Sequence, residues 1–594
     1  MLGFILILAL LKPLCSMKVI VRFSFWLIIL GLWACKTDST KPSSNTIVVR
    51  IPSDLRGLNP VNHNSGSSLR IIKQILPSLV DFDPVTETYT PVLIEELPQR
   101  KENSEKVIYS FRFRKEAKWP NGSPITIDDY IFSLKVAFNR KIRGNAWTGA
   151  LSIIEDVEVD KEDNLTCRIV LAKDVANIIG YFAGFELLPE YHYDPNHLLA
   201  SFPLKDFLTV ASFDTLWKAH PEITEFAHSF SQEKYIRDPE GVVGAGPYRL
   251  ESWTTNEQIV LVKRKNYWAD GLQNVTAILA GYPDTIIYKI VTDEIATSLL
   301  IKNKQLDVIH SISSTEFLKL KENPDVARNY DFYTPSSPRI FLVLMNTQSP
   351  KLDKSVRNAL ARCIDLDQIL DVATSGFGRK IISPLSSKSP YYNHSLKPIE
   401  KNIEQAKELL DADGWKDMNR DGVRTKNVNG QQIRLELNIV VGASSVGKVV
   451  GPILKSSAEK IGIKINIQHV NGREIISQIR SPKFEMSLIG ISTSPTDYEP
   501  YGSWHSDNAG KKGKNYSRLS SSKMDKVIDD LRMTTSTDEK KKLYAAFQKI
   551  LYDEQPVLFL YSPSKTIIVQ NRWEPMISSV RPGFFENAFR LKRN

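Results

Sequence analysis

The sequence predicts an α/β protein of at least two domains, and three observations carry that expectation. Short β-branched or alternating runs are interleaved with amphipathic helical stretches along the chain. Roughly 560 residues follow the N-terminal leader, more than one hydrophobic core usually serves. No internal repeat or long low-complexity segment is present, which argues against a solenoid or a disordered linker protein.

The chain opens with two apolar stretches. After residues 1–16, Lys18 and Arg22 form a basic start, Phe23 to Leu32 an apolar centre, and Ala34 stands just before Cys35. The apolar run is short for the ~20 residues that a membrane span needs, and the order of its parts is that of an export leader. It resembles the signal peptide of a bacterial lipoprotein, in which the cysteine is diacylated and becomes the first residue. That resemblance makes Cys35 the expected lipidation site, residues 1–35 the signal peptide and 36–45 a polar tether. Met17 is an alternative start to Met1. Lys36 lacks the aspartate that some bacteria use for inner-membrane retention, so either membrane remains open.

Strands are expected at 45–52, 106–114, 257–264, 285–291 and 339–346 from alternation or β-branching. In "TIDDYIFSLKVAFNR", Thr126 is placed as N-cap with Asp129 at N3, a capping box. Tyr130, Leu134 and Phe138 then share one face. Residues 401–415 and 537–554 read as further amphipathic helices.

The formal net charge is +10, and Lys12, Lys18 and Arg22 of the leader account for three of the 77 basic residues. The remaining 74 against 67 acidic residues give +7, which suits a membrane surface or an anionic envelope. The one dense basic run, Lys511-Lys512-Gly513-Lys514, has no interleaved aromatics, so no nucleic-acid partner is expected. Cys15 lies in the leader with Cys35, and Cys167 and Cys363 sit in unrelated segments. Two such cysteines make no disulfide framework. Cys363 reads as a small buried residue.

Two local motifs imitate ligand sites. "VVGASSVGKVVGPILK" (440–455) follows a strand pattern and nearly spells a phosphate loop, yet Val449 replaces the hydroxyl that would hold magnesium. Pro452 would also fall in the second turn of a helix begun at Lys448, so a later helix with Pro452 in its first turn is expected. Asp417 to Gly422 opens like a calcium loop, but its twelfth position is Val428 instead of a bidentate Glu. The nine histidines show no metal-binding spacing, His192 and His197 being five apart, and no nucleophile elbow occurs. No cofactor, metal or catalytic residue is expected.

"GAGPYRLESWTTNEQIVLVKRKNYW" (244–268) resembles a signature of the family 5 extracellular solute-binding proteins, the oligopeptide- and dipeptide-binding group. Segments 109–134, 346–370, 401–424, 484–492, 515–532 and 543–561 resemble the same family in the same order, over about 46–590. The resemblance implies a two-lobed periplasmic-binding-protein fold (type II, or cluster C) with an extra domain inserted in lobe I. Lobe I would comprise 46–84, 240–336 and 557–594, the inserted domain 85–239 and lobe II 337–556. The crossings would lie near Ser336–Pro338 and Pro556–Leu558. It reads 434–467 as strand, loop, helix and strand of lobe II, with no phosphate site, and 417–422 as a polar turn. Asn303-Lys304 stands where the family favours glycine, and Asn303 is expected to tolerate the left-handed cap.

The resemblance also implies a function. The ligand would be a short extended peptide, hydrogen-bonded through its backbone, with Gly490, Ile491 and Ser492 offering main-chain groups. In the Asp497-Tyr498-Glu499-Pro500 context, Asp497 would pair with the peptide's α-amine and Tyr498 would lie beside it. Two departures bear on this: Ile491 stands where the family has Trp, and Asp497 comes about three residues late, after Pro495. The implied protein is a monomeric, non-catalytic, membrane-anchored lipoprotein of the cell envelope that hands peptide to a permease and its ATPase subunits. Alternatives are a nickel chelate, opine or oligosaccharide as ligand, a peptide-sensing receptor or chaperone, or an exported hydrolase, whose nucleophile the sequence does not supply.

Overall fold

The computed structural model describes residues 45–61, 65–101, 106–143, 151, 153–160, 162–172, 178–273, 275–428, 430–443, 445–493, 498–510, 513–534 and 536–593. Cys35 and the rest of the expected leader lie outside the described residues, as do Asp497, Lys511 and Lys512.

Two large sheets organise the chain. The first has seven strands in the spatial order Tyr330–Tyr333, Ile567–Gln570, Val308–His310, Thr46–Ile51, Thr285–Ile290, Gln258–Lys263 and Tyr248–Thr254. The second has six: Gly378–Lys380, Val557–Pro563, Arg339–Met345, Met486–Ser492, Glu436–Gly442 and Lys464–Val470. A four-stranded antiparallel sheet, built from Gln99–Arg100, Val107–Arg112, Thr166–Leu171 and Ile154–Val159, falls between the first and second strands of the first sheet in sequence. Its apolar face and the helices after it share one continuous core with the first sheet.

Alternation explains the second sheet. Along Arg339–Met345, Ile340, Leu342 and Leu344 enter one core while Val343 and Met345 enter the other, on the opposite face. The five expected strands all form, each within two residues of its expected ends. The helix Ile127–Phe138 carries its capping box, with Asp129 Oδ2 accepting the Thr126 N–H at 3.0 Å. Cys167 and Cys363 are free and buried.

Three expectations are corrected. The strand Val557–Pro563 pairs with Arg339–Met345 in the second sheet, so the chain returns to the first sheet at Ser564–Thr566 and not at Pro556–Leu558. Its run of buried side chains is completed only by that sheet's two cores. The helix after the phosphate-loop mimic runs Ser445–Glu459, which places Pro452 in its interior. Burial of Val450, Leu454 and Ala458 offsets the lost backbone hydrogen bond. Gly447 lies so close to the Gly442 carbonyl that a Cβ there would be 2.1 Å from that oxygen, so the close approach at this turn requires glycine. Finally, Lys304 (φ 56°), not Asn303, adopts the left-handed conformation after the helix Glu294–Lys302. At 417–422 the carboxylates serve the turn: Asp417 accepts the N–H groups of Asp421 and Gly422.

Glu186 forms an isolated bridge with Ser78, and neither of its carboxylate oxygens has a hydrogen-bond partner among the described residues. Burial pushes its carboxyl up to about 8, against the lowering influence of Lys73. The folded group therefore holds its proton where the unfolded one has lost it, and stability falls as pH rises from about 4.5 to about 8. Glu186→Gln is expected to abolish that slope in urea midpoints measured across the window. Equal slopes in variant and parent would refute it. Lys304→Gly is expected to raise stability by about 1 kcal/mol by removing the left-handed penalty, checked by the same denaturation.

Candidate functional site

The two segments that join the sheets run side by side. Ser336 and Ser564 form an antiparallel bridge, the Lys565 N–H donates to the Pro335 carbonyl at 2.9 Å, and the Ser337 N–H to that of Pro563 at 3.2 Å. Beside this crossing lies a cavity of about 640 Å³. Ser337, Pro338, Arg339 and Ser492 form one wall; the helix Gly66–Ile75, His310, Ser311 and residues 580–582 and 584–587 form the other.

Ser65 starts that helix, its Oγ accepting the Ser68 N–H at 3.0 Å. Gly244 and Gly246 press on its far end: a Cβ at either would lie 2.4 Å from a helix carbonyl oxygen, and the Gly246 N–H donates to Ile75 at 2.7 Å. The glycines of "GAGPY" are thus required by close approach.

From this helix Arg70 projects with only 5% of its side chain exposed. Its Nε lies 3.3 Å from Glu586 Oε1, which also accepts the Tyr288 hydroxyl at 2.6 Å. Its Nη1 faces His310 Nε2 at 3.2 Å. Burial, then the charges of Arg70 and Arg50, hold His310 well below its ordinary value. A neutral ring accepts from Arg70 at Nε2 and donates from Nδ1 to Ser311 Oγ at 2.9 Å, a tautomer assigned from this network. Arg50, fully buried, donates to the carbonyls of Val291, His310 and Ser311 and so fixes this stretch of backbone. One turn along the helix, Lys73 pairs with Asp81 at 2.6 Å. Burial lowers the ammonium's pKa, but Asp81 and Glu186 more than offset this and hold it above its ordinary value.

On the other wall the Arg339 guanidinium lies 5.2 Å from the centre of the Phe341 ring, which stacks on Tyr561 at 5.1 Å. Gly490, paired with Phe341, admits this arrangement: a Cβ there would stand 2.9 Å from both Arg339 Nε and Phe341. The strand Met486–Ser492 pairs with Arg339–Met345 throughout, but with Glu436–Gly442 only from Met486 to Leu488. Residues 489–492 therefore have a sheet edge with no strand on it among the described residues. Since the Thr493 N–H donates to Pro338, alternation turns the backbone groups of Gly490 and Ser492 toward that edge.

Of the expected ligand residues, Ser492 lines the cavity and Gly490 stands two residues away on the same strand face. Ile491 points to the opposite face, against the core of the second lobe. Tyr498 is not on the cavity wall. Its hydroxyl accepts the Trp504 N–H and its carbonyl the Tyr544 hydroxyl, both at 2.5 Å, so it serves that core. Arg70, Arg339, Lys565 and Arg581 line the cavity but were not anticipated. They come from three distant parts of the chain, with only Lys565 and Arg581 near each other in sequence, and share no local motif.

The model of the bacterial extracellular solute-binding proteins, family 5 (middle region), matches residues 88–513. The oligopeptide-binding protein AppA of Bacillus subtilis is 23% identical over 486 residues, covering 80% of this chain and 79% of its own. Its structure in complex with a nonapeptide aligns with TM-score 0.63 over 92% of this chain and 99% of that one, at 20% identity. HbpA2 from Haemophilus parasuis aligns with TM-score 0.71 at 20% identity over 92% of this chain and all of that one. The nickel-binding periplasmic protein of Escherichia coli is 24% identical over 332 residues, 55% of this chain and 60% of its own.

Away from the crossing, Lys388 pairs with Glu87 at 2.5 Å and lies 3.2 Å from Ser579 Oγ. Lys388 belongs to the second sheet's side and the other two to the first. The pair is partly exposed, so Lys388→Ala is expected to change unfolding stability by less than about 1 kcal/mol. The same variant is expected to enlarge the ligand-free radius of gyration in X-ray scattering, because one tie between the walls is lost. An unchanged radius would show that the pair does not hold the cleft.

Proposed function

Because the chain belongs to the bacterial extracellular solute-binding proteins, family 5, we propose that it is the substrate-binding component of an ATP-driven importer and captures short peptides between its two walls. The observation that carries this reading is the edge at 489–492, which no strand covers among the described residues, beside a cavity of about 640 Å³. An extended peptide can add to such an edge through main-chain hydrogen bonds while its side chains occupy the cavity. Gly490 and Ser492 supply these groups, and Asp497 is the proposed partner of the α-amine. The paired crossing segments act as a hinge, so closure buries the ligand without unfolding either side. The protein performs no chemistry on its ligand. It is tethered through lipid on Cys35 and passes the peptide to a permease with ATPase subunits.

A non-peptide ligand is the second reading, favoured by the similarity to a nickel-binding relative.

Native mass spectrometry of the soluble body, residues 36 to 594, purified from a peptide-rich medium, separates these readings. A ladder of peptide masses that weakens in Asp497→Ala is expected. A single non-peptide mass would overturn the peptide assignment, and peptides held equally by both proteins would move the amine partner elsewhere. Separately, Cys35→Ser is expected to abolish incorporation of labelled fatty acid and to release the protein from the membrane fraction. Undiminished labelling would refute lipidation at Cys35.

A further inference from the structure

The charges on the cavity wall do not balance. Five cationic side chains line it, Arg70, Lys73, Arg339, Lys565 and Arg581, against two carboxylates, Asp81 and Glu586. Asp81 is engaged by Lys73, and Glu586 by Arg70 and Tyr288. Among the described residues no carboxylate lies within ion-pair distance of the other three cations. Lys565 has only two long contacts, 3.4 Å each, to the carbonyls of Ser579 and Val580. Arg339 lies over the Phe341 ring.

Arg581 stands where a cation is electrostatically misplaced. A Cβ on Gly66 would lie 3.4 Å from its Nη2, so its guanidinium rests against the N-terminus of the helix Gly66–Ile75. That end carries the positive pole of the helix, and its first turn holds no acidic residue to offset it. Arg70, on the same helix, belongs to the cavity wall, and its buried Nη2 has no hydrogen-bond partner among the described residues. The start of this helix, a buried guanidinium with an unused donor and three cations without a carboxylate partner among the described residues border one space. An anion there is favoured by all of them.

We propose that the ligand carries at least two carboxylates and, on the peptide reading above, is an acidic peptide whose side chains are taken by Arg339, Lys565 and Arg581. Arg339 belongs to the second sheet, Lys565 to the crossing and Arg581 to the first sheet's side. The same anionic ligand therefore screens the repulsion between the walls and draws them together. Lys565, lowered to about 8 by burial and by Arg581, gives a second signature. An anion beside it restores its proton, so affinity falls as pH rises through about 8.

The test uses the full-length protein in detergent and calorimetry with two tripeptides, Glu-Ala-Glu and Gln-Ala-Gln. At low salt the acidic peptide is expected to bind at least ten-fold tighter, and the ratio to shrink as salt is raised. Arg339→Gln and Arg581→Gln are each expected to cut the ratio three-fold or more with unchanged unfolding midpoints. Lys565→Gln is expected to remove the pH dependence near 8. Equal affinity for the two peptides, or a preference kept by the variants, overturns the inference and leaves the peptide reading intact. Binding of citrate with neither peptide bound keeps the anion site and overturns the peptide reading. No binding of either peptide or of citrate overturns the anion site itself.

Discussion

The architecture depends on the way two chain segments pass each other between the sheets. Because Pro335–Ser337 and Pro563–Lys565 exchange main-chain hydrogen bonds, the end of the second sheet is held against the first at one line. Everything that faces the cleft is placed relative to that line. Arg339 and Ser492 sit at the crossing because their strands pair residue for residue, and Lys565 sits there because it is one of the crossing residues. A double connection of this kind keeps the two sheets joined along one line.

The cleft wall combines a buried charge network with three cations that no carboxylate neutralises among the described residues. Arg70, Glu586, Tyr288 and His310 form a buried set whose geometry is reinforced by Arg50 holding the backbone of His310 and Ser311. Removing Arg70 or Glu586 would leave a buried charge without its partner, a costly state in a low-dielectric interior. Of the unpaired cations, Arg339 and Arg581 are exposed and Lys565 is half-buried, so solvent stabilises them in a way that it cannot stabilise Arg70.

Local sequence patterns located most regular elements and misled where tertiary packing outweighed local preference. Proline within Ser445–Glu459 and lysine in the left-handed position at 304 are both locally unfavourable. The first is carried by a buried helix face and the second by exposure at a helix end. The phosphate-loop and calcium-loop mimics failed for reasons visible in the residues themselves, a missing hydroxyl at Val449 and a missing carboxylate at Val428.

By itself the sequence determined the kind of element at each long periodic segment and the family. These depend on neighbours within a few residues, where periodicity, capping and motif spacing act directly. Only the tertiary structure decided that Val557–Pro563 belongs to the second sheet, that Tyr498 supports a core, and that cations at 70, 339, 565 and 581 share one cavity. Contacts between residues so far apart depend on sheet order and the chain crossing. No local pattern encodes them.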